Sequence, residues 1–390
     1  MTTTSVSHAL GADGPFAEKV PGYQPRAPQL AMALAVEKTL KAKSQLLVEA
    51  GTGTGKTFAY LVPAMLSGQK TLVSTGTRNL QDQLFHRDLP QVRTLLGKPI
   101  RTALLKGRSN YLCPYRLEQH LSDGELESKQ VVHDLQRVAA WAGKTQMGDI
   151  AELIDIAEDS SVWPLVTSTA DNCLGQECPK IDDCPLMKAR EQAAEADIIV
   201  VNHHLFFADK ALKDRGFGEL LPEVDAVIFD EAHQLPETAA MFFGQSLSSR
   251  QINDLLADTL REILAAGGDL RGANDLVSLI ETRLAHFRLQ LGEDSRKGVW
   301  ADVSEQAEMP AAIVAVNLSL GALLDALAAL KDRSKGLDSC HRRAEELGKA
   351  FEELTGDTPD NQVHWFETFR KGFVLQWTPL EVSQPFRALI

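Results

Sequence analysis

A chain of 390 residues, 44% hydrophobic and 24% charged, is too long for one core of ~150 residues and too apolar for disorder, so two or three packed units are expected. Its formal net charge of −13 excludes a surface that coats a polyanion all over, because phosphate affinity grows with the number of neutralising cations. Modest basic clusters remain, at Lys41 and Lys43 and then at Arg101, Lys106, Arg108 and Arg116.

The opening MTTTSVSHALGADG has no basic stretch followed by a continuous apolar run. It reads as a flexible polar start over residues 1–15, not as a signal peptide. QLLVEAGTGTGKTFAYLVPAML, residues 45–66, reads as a short apolar strand, a glycine-rich turn and a helix. KTLVSTGTRNLQDQL offers a second strand at 71–74, and ADIIVVNHHLFF and VDAVIFDEAH offer two more, at 198–201 and 226–229. Strands alternating with helices predict an α/β fold with a parallel sheet, and runs such as IIVV suit a sheet covered on both faces.

Residues 111–190 differ in composition, being rich in Asp, Glu, Gln and Cys, and read as an insertion. With few large apolar residues, this insertion is expected to depend on metal–ligand bonds for order. Residues 247–354 carry no strand signal, while Ile252, Leu255, Leu256, Leu260, Ile263 and Leu264 recur at helical spacing. They predict a second, all-helical insertion. Its most apolar run, residues 311–330, is interrupted by Asn317, Ser319 and Asp325 and reads as a buried helix pair, not a membrane span. GFVLQWTPL, residues 372–380, predicts a strand that returns to the first sheet.

The stretch Ala50, Gly51, Thr52, Gly53, Thr54, Gly55, Lys56, Thr57 matches the phosphate-binding loop, except that Ala50 stands where a glycine is usual. The glycines let backbone N–H groups turn towards phosphates at the start of a helix. Lys56 would neutralise phosphate charge and Thr57 would offer a hydroxyl to Mg²⁺, which leaves an acidic contributor to be found. Asp230 and Glu231 qualify, since the strand AVIF delivers them to its carboxyl end, the edge where open α/β sheets bind ligands. The chemistry indicated is phosphoryl transfer from ATP. Asp230 would order the Mg²⁺ shell, Glu231 would polarise water, and His233 would sense the γ-phosphate.

Of the five cysteines, Cys173, Cys178 and Cys184 cluster in DNCLGQECPKIDDC, and Cys113 lies upstream in GRSNYLCPYR. Four thiolates at this loose spacing suit an iron–sulfur cluster or a zinc ion equally, in a reducing compartment. Cys340 stands alone in a helical region and reads as a buried thiol.

AGTGTGKT, VSTGTRNLQDQL, LLKGRSNYLC, the later cysteines, VVNHHLFF and FDEAH occur in the order found in the XPD/DinG-type superfamily 2 iron–sulfur DNA helicases. The chain resembles that family from about Phe16 onward. WPLVTSTADNCLG and FGQSLSSRQ bring it nearest to the bacterial YoaA branch. The resemblance implies a RecA-like motor domain at 16–110 and 191–246, an iron–sulfur domain at 111–190, a helical arch at 247–370 and a return segment at 371–390. It implies a [4Fe–4S] cluster on Cys113, Cys173, Cys178 and Cys184, and an adenine-side role for Tyr23, Arg26 and Gln29. Thr75, Gly76 and Thr77 would approach the DNA backbone, and Asn202, with His203 and His204, matches the NHH element. The two histidines read more simply as hydrogen-bonded core imidazoles than as ligands.

By the same resemblance the track is single-stranded or forked DNA, travelled 5′ to 3′. The setting is the bacterial cytoplasm, without a membrane, and a replicative polymerase subunit is a candidate partner. SQPFRALI stands before the point where the family places a second RecA-like domain with its arginine finger. The chain is therefore expected to be an N-terminal portion that alone turns over ATP slowly. Two other readings compete: a nucleotide-dependent clamp on single-stranded DNA without unwinding, and a P-loop ATPase with a zinc domain.

Overall fold

The computed structural model describes residues 5–122, 128–214, 220–357, 362–381 and 386–387. They divide into two compact units: Met1–Gly107 with Pro185–Thr238, and Arg108–Cys184 with Ala239–Ile390.

The first unit is built on four parallel strands: β1 (Thr71–Thr75), β2 (Thr102–Leu104), β3 (Ile198–Asn202) and β4 (Ala226–Phe229). Their order is β2-β3-β1-β4, with Val73 level with both Val200 and Ile228. All five residues of β1 are buried, as its continuous apolar pattern requires of a strand covered on both faces. The helices Ala27–Ala42 and Lys56–Ser67 pack together, and the second buries Ala59, Leu61, Val62 and Met65 in the core shared with Val73, Ile198 and Val200.

Two expectations fail in this unit. Residues 45–50 are not a strand. Among the described residues β4 hydrogen-bonds only to β1, so no strand pairs with 45–50, and Leu47 is 91% exposed. The polar start is not flexible throughout. Ser5 caps a short helix, Val6–Ala9, whose Val6 and Ala9 join Leu10 and Phe16 in the core. Their spacing places three apolar side chains on one side of a single turn, which the surrounding Ser, Thr and Gly residues masked.

In the second unit, residues 108–184 hold a small core of Leu112, Leu117, Leu135, Val138, Ile156, Val162, Trp163 and Val166. The expectation that this insertion lacks apolar residues for a core of its own is thus corrected. The residues are sparse in sequence, but helices Pro114–Ser122, Lys129–Ala142 and Trp163–Val166 each contribute apolar side chains to the one cluster.

The remainder is not all-helical. Long helices Ser249–Ala265, Arg271–Gln290, Met309–Ala328 and Lys335–Thr355 pack with an antiparallel sheet of β5 (Gln245–Ser248), β6 (Lys297–Val299), β7 (Gln362–Thr368) and β8 (Phe373–Pro379), in the order β5-β8-β7-β6. The returning strand expected in the motor sheet is β8, and it pairs with β5 and β7 instead. Alternation explains the choice: His364, Phe366 and Thr368 of β7 and Phe373 and Leu375 of β8 are buried on one face, a half-covered pattern suited to an antiparallel sheet packed on helices. β5 and β6 are too short to register by periodicity.

The apolar run at 311–330 forms one helix, not a pair. It is long and apolar enough to cross a membrane by length and composition. One face, with Ala312, Val316, Leu320, Leu323 and Leu327, lies in the helical core, and Val314 and Leu318 are exposed. Cys340 is buried in the same core, and burial pushes its thiol up to about 12.

Candidate functional site

The glycine loop between residues 50 and 56 turns with Gly53 at φ +78° and Gly55 at φ +80°, a left-handed backbone that glycine adopts without steric cost. A Cβ on Gly55 would collide with the amide of Gln29. That contact is used: Gln29 Nε2 donates to the Gly55 carbonyl at 3.0 Å, and Tyr23 Oη donates to Gln29 Oε1 at 3.1 Å. Arg26 donates to the carbonyl of Gly53. Tyr23 and Arg26, before helix Ala27–Ala42, and Gln29, in its first turn, therefore brace the loop. Thr54 closes it from within, its hydroxyl donating to the Gly51 carbonyl at 2.7 Å.

Lys56 opens the following helix. Its ammonium lies 3.3 Å from the Ala50 carbonyl and 3.6 Å from Glu231 Oε1. β4 delivers Asp230 and Glu231, and the chain turns sharply after it, with Glu231 at φ +55°. A non-glycine residue in this region is held by its surroundings at a cost of order 1–3 kcal/mol, a strain that clusters at functional sites. Asp230 Oδ2 accepts a hydrogen bond from Tyr60 Oη at 3.1 Å, and Thr57 also lies beside that phenol. Burial raises the Asp230 carboxyl above its usual range, opposed by the Tyr60 bond. Burial, then the neighbouring Asp230 carboxylate, pushes the Tyr60 phenol well up. His233 is largely exposed, with Nδ1 3.4 Å from Glu231 Oε2.

Beneath this edge lies His203, fully buried, whose Nδ1 is 2.7 Å from Ser74 Oγ on β1. Burial lowers its pKa to about 4, against the opposing pull of the Asp230 and Glu231 backbone, so it is a neutral core imidazole tying β1 to the acidic turn. Burial also lowers His204. Of the residues read as DNA contacts, Asn202 accepts from the Leu205 N–H at 2.8 Å and Thr77 caps the helix Arg78–Gln83. Both have structural uses. Thr75 is buried, and Gly76 packs so closely on Gln234 that a Cβ would overlap its side-chain amide. Sequence reading missed Tyr60, Ser74 and Gln234. Tyr60 was within reach, since a tyrosine four residues after Lys56 lies on the same helix face. The other two meet their partners only through the sheet.

In the second unit Cys113, Cys173, Cys178 and Cys184 are all free and half-buried. The Cys113 N–H donates to the Val166 carbonyl at 2.7 Å, and turns at Gly175 and Ile181 carry Cys178 and Cys184. Burial pushes Cys113 up to about 11, and charge on Cys173 and Cys178 adds to the shift. Cys178 is raised by burial and then by Cys173 and Cys184. Cys113 and Cys178 are thus each near enough to other cysteines of the set to feel their charge. Among the described residues no three Cys, His, Asp or Glu side chains converge on one point as ligands of a single ion. The donor chemistry fits a cationic cluster, since thiols that raise one another's pKa are the ones whose deprotonation a bound cation would favour.

The family profile "DEAD/DEAH box helicase" matches residues 31–110, and "DEAD_2" matches 89–252. The chain is 43% identical over 387 residues to the "ATP-dependent DNA helicase YoaA" of Haemophilus influenzae, covering 98% of this chain and 60% of that protein. It is 44% identical over 383 residues to the protein of the same name from Escherichia coli, covering 97% and 59%. The chain belongs to the XPD/DinG-like superfamily 2 helicases. Within that family it is closely related to bacterial YoaA over most of its length, and it spans about 60% of the length of these curated relatives. Among solved structures, a truncated XPD matches 92% of this chain and 88% of its own, at 17% identity and a TM-score of 0.42. For this XPD/DinG-like chain the RecA-like core is the first unit, and the additional helical insertions make up the second.

Proposed function

We propose that the chain is the ATP-hydrolysing motor portion of a DNA helicase that acts on single-stranded or forked DNA in the bacterial cytoplasm, in repair or replication. The observation that carries this reading is the 3.6 Å approach of Lys56 to Glu231, beside half-buried Asp230 at the carboxyl end of β4. One cation and two carboxylates there meet the needs of a Mg²⁺–triphosphate. Lys56 takes phosphate charge. Thr57 and Asp230, both beside Tyr60, would hold the metal shell, Glu231 would polarise the attacking water, and His233 would report on the γ-phosphate through Glu231. Arg26 and Gln29 keep the loop open from behind. Gly76, between Thr75 and Thr77, packs on Gln234 just after the acidic turn, which supplies a route by which nucleotide state alters a DNA contact made by this stretch.

Cys113, Cys173, Cys178 and Cys184 would hold the [4Fe–4S] cluster, which when bound cross-links their loops through iron–thiolate bonds. The test is a pair of variants in the intact protein. Lys56→Ala should abolish ATP-dependent unwinding with the fold intact, and Glu231→Gln should bind ATP but hydrolyse it at least a hundredfold more slowly, on the order of the loss seen when one transition-state contact is removed. Unwinding by folded Lys56→Ala at the parental rate would refute the reading.

A further inference from the structure

The cations that looked clustered in the sequence are largely spent on ion pairs. Lys41 pairs with Glu37, Arg101 with Asp197, buried Lys106 with Asp82 and buried Arg116 with Asp258. A different group is not. In the second unit two short sequences of one form, Arg296-Lys297-Gly298-Val299 and Arg370-Lys371-Gly372-Phe373, meet at one end of the antiparallel sheet. The Thr368 N–H donates to the Arg296 carbonyl at 2.9 Å, the Arg296 N–H donates to Thr368 Oγ1 at 3.0 Å, and the turn between β7 and β8 closes with Phe369 N–H on the Gly372 carbonyl at 2.8 Å. Four cations are thereby gathered beside one hairpin turn.

Among the described residues none of the four has an ion pair. Other exposed cations of this unit are divided: Lys335 pairs with Glu177, Arg342 with Glu346, Lys349 with Glu345 and Arg271 with Asp269, while Lys144, Arg283 and Arg333 have no ion pair among the described residues, so what sets the hairpin group apart is that its four lie together. Nearby Asp294 is engaged by Arg288 at 2.6 Å, and Glu367 stands opposite Lys297 in the register, so the unbalanced charge lies towards the turn. Aromatic surface accompanies it. Phe369, at the turn itself, is 47% exposed, and Lys297 Nζ lies 3.9 Å from the ring centroid of half-exposed Trp365. Arg296 lies over the Phe366 ring at 5.4 Å, which leaves Arg370 and Lys371 as the free pair beside the exposed phenylalanine; in a chain of net charge −13 this is the composition of a single-strand grip, in which cations follow phosphates and aromatic rings stack on bases.

We propose that this hairpin end binds single-stranded DNA, with Arg370 and Lys371 on backbone phosphates and Phe369 stacked on a base. The proposal rests on the helicase reading and adds a contact surface outside the nucleotide-binding unit. The test measures the affinity of a fluorescent oligothymidylate for the intact protein across a range of KCl concentrations. Arg370→Glu with Lys371→Glu should weaken binding and reduce the slope of log affinity against log salt by about 1.4, that is ~0.7 for each of two phosphate contacts. Phe369→Ala should weaken binding roughly 5- to 100-fold at an unchanged slope. The same reversal at Lys331 and Arg333, two cations of a 3₁₀ turn elsewhere in the unit, is the control for a general loss of positive charge. Equal losses at the control pair, or parental affinity and slope in both hairpin variants, overturn the proposal while leaving the helicase reading in place. A parental protein that binds no single-stranded DNA overturns both.

Discussion

The hydroxyl of Tyr60 donates to Asp230 Oδ2 at 3.1 Å across the first unit, joining the helix that follows the glycine loop to the end of β4. Thr57 lies beside the same phenol, so one buried group touches both side chains assigned to Mg²⁺. Tyr60→Phe keeps the ring packed and removes only the hydroxyl. A hydrogen bond to a charged acceptor contributes ~1.5–3 kcal/mol, and the carboxylate freed of it can rotate. The Mg²⁺ concentration that gives half-maximal ATP hydrolysis should therefore rise about tenfold, with little change in far-ultraviolet circular dichroism. An unchanged Mg²⁺ titration would show that the bond does not position Asp230.

The candidate nucleotide site could be sketched from the sequence because its residues are local. AGTGTGKT and FDEAH each place their chemistry within a few residues, and the buried strands β1 and β3 announced themselves through continuous apolar runs, whereas β4, which leads into DEAH, is only half-covered, with Val227 40% exposed. What escaped was set by long-range pairing. β8 looks alike in sequence whether it joins a parallel or an antiparallel sheet; its hairpin partner β7 on one side and β5, from more than a hundred residues earlier, on the other decide between them. Residues 45–50 have the composition of a strand but no described neighbour to pair with. The small core around Val138 and Trp163 was hidden by the many charged residues between its members. Arg116 and Lys106 looked like basic surface because their carboxylate partners are distant in sequence or unremarkable in type.

Arg116 bears on stability directly. Its guanidinium meets Asp258 at 3.2 Å, Arg343 meets the same carboxylate at 2.8 Å, and Arg261 approaches at 3.0 Å. Burial alone would raise Asp258, but Arg116 and Arg343 outweigh it and hold the carboxyl below its usual range. Alongside, Tyr115 Oη and Gln119 Nε2 each donate to Glu262 Oε1 at 2.6 Å. These bonds tie the helix after Cys113 to helix Ser249–Ala265. Asp258→Asn leaves two buried guanidiniums short of a counter-charge and should cost about 3–5 kcal/mol, read as a lower denaturation midpoint of the second unit. Lys56-dependent nucleotide binding, which belongs to the first unit, should survive at temperatures where the second has melted. A loss below 1 kcal/mol would mean that water reaches this cluster.

His364 should give the second unit an acid-sensitive step. It is buried in β7, neither ring nitrogen has a hydrogen-bond partner among the described residues, and burial lowers its pKa. The folded state therefore holds it neutral, while the unfolded chain takes a proton near the ordinary histidine value of about 6.5. Because the unfolded state binds more protons below that value, stability is lost as the pH falls from about 6.5 through the lowered folded pKa. His364→Leu removes the group and two unsatisfied polar atoms. Its denaturation midpoint should drop less than the parent's between pH 7 and pH 5, and identical pH profiles would exclude His364 as the source.

The cysteine assignment has a prediction with two separable parts. Replacing Cys173 or Cys184 by Ser in the intact protein should remove the visible absorption and the bound iron and sulfide, whereas Cys340→Ser, deep in the helical core, should leave both unchanged. The structural consequence should be confined. Leu112, Val138, Trp163 and Val166 pack in a core that contains none of the four thiols, so the segment around Trp163 should stay folded without a cluster. The turns at Gly175 and Ile181, which present Cys178 and Cys184, have few buried apolar neighbours and should open. Limited proteolysis of the Cys184→Ser protein should therefore cut first within residues 169–184 and leave helix Lys129–Ala142 protected. Early cleavage in that helix would mean that the apolar core also depends on the cluster. An unchanged absorption spectrum would remove Cys184 from the ligand set.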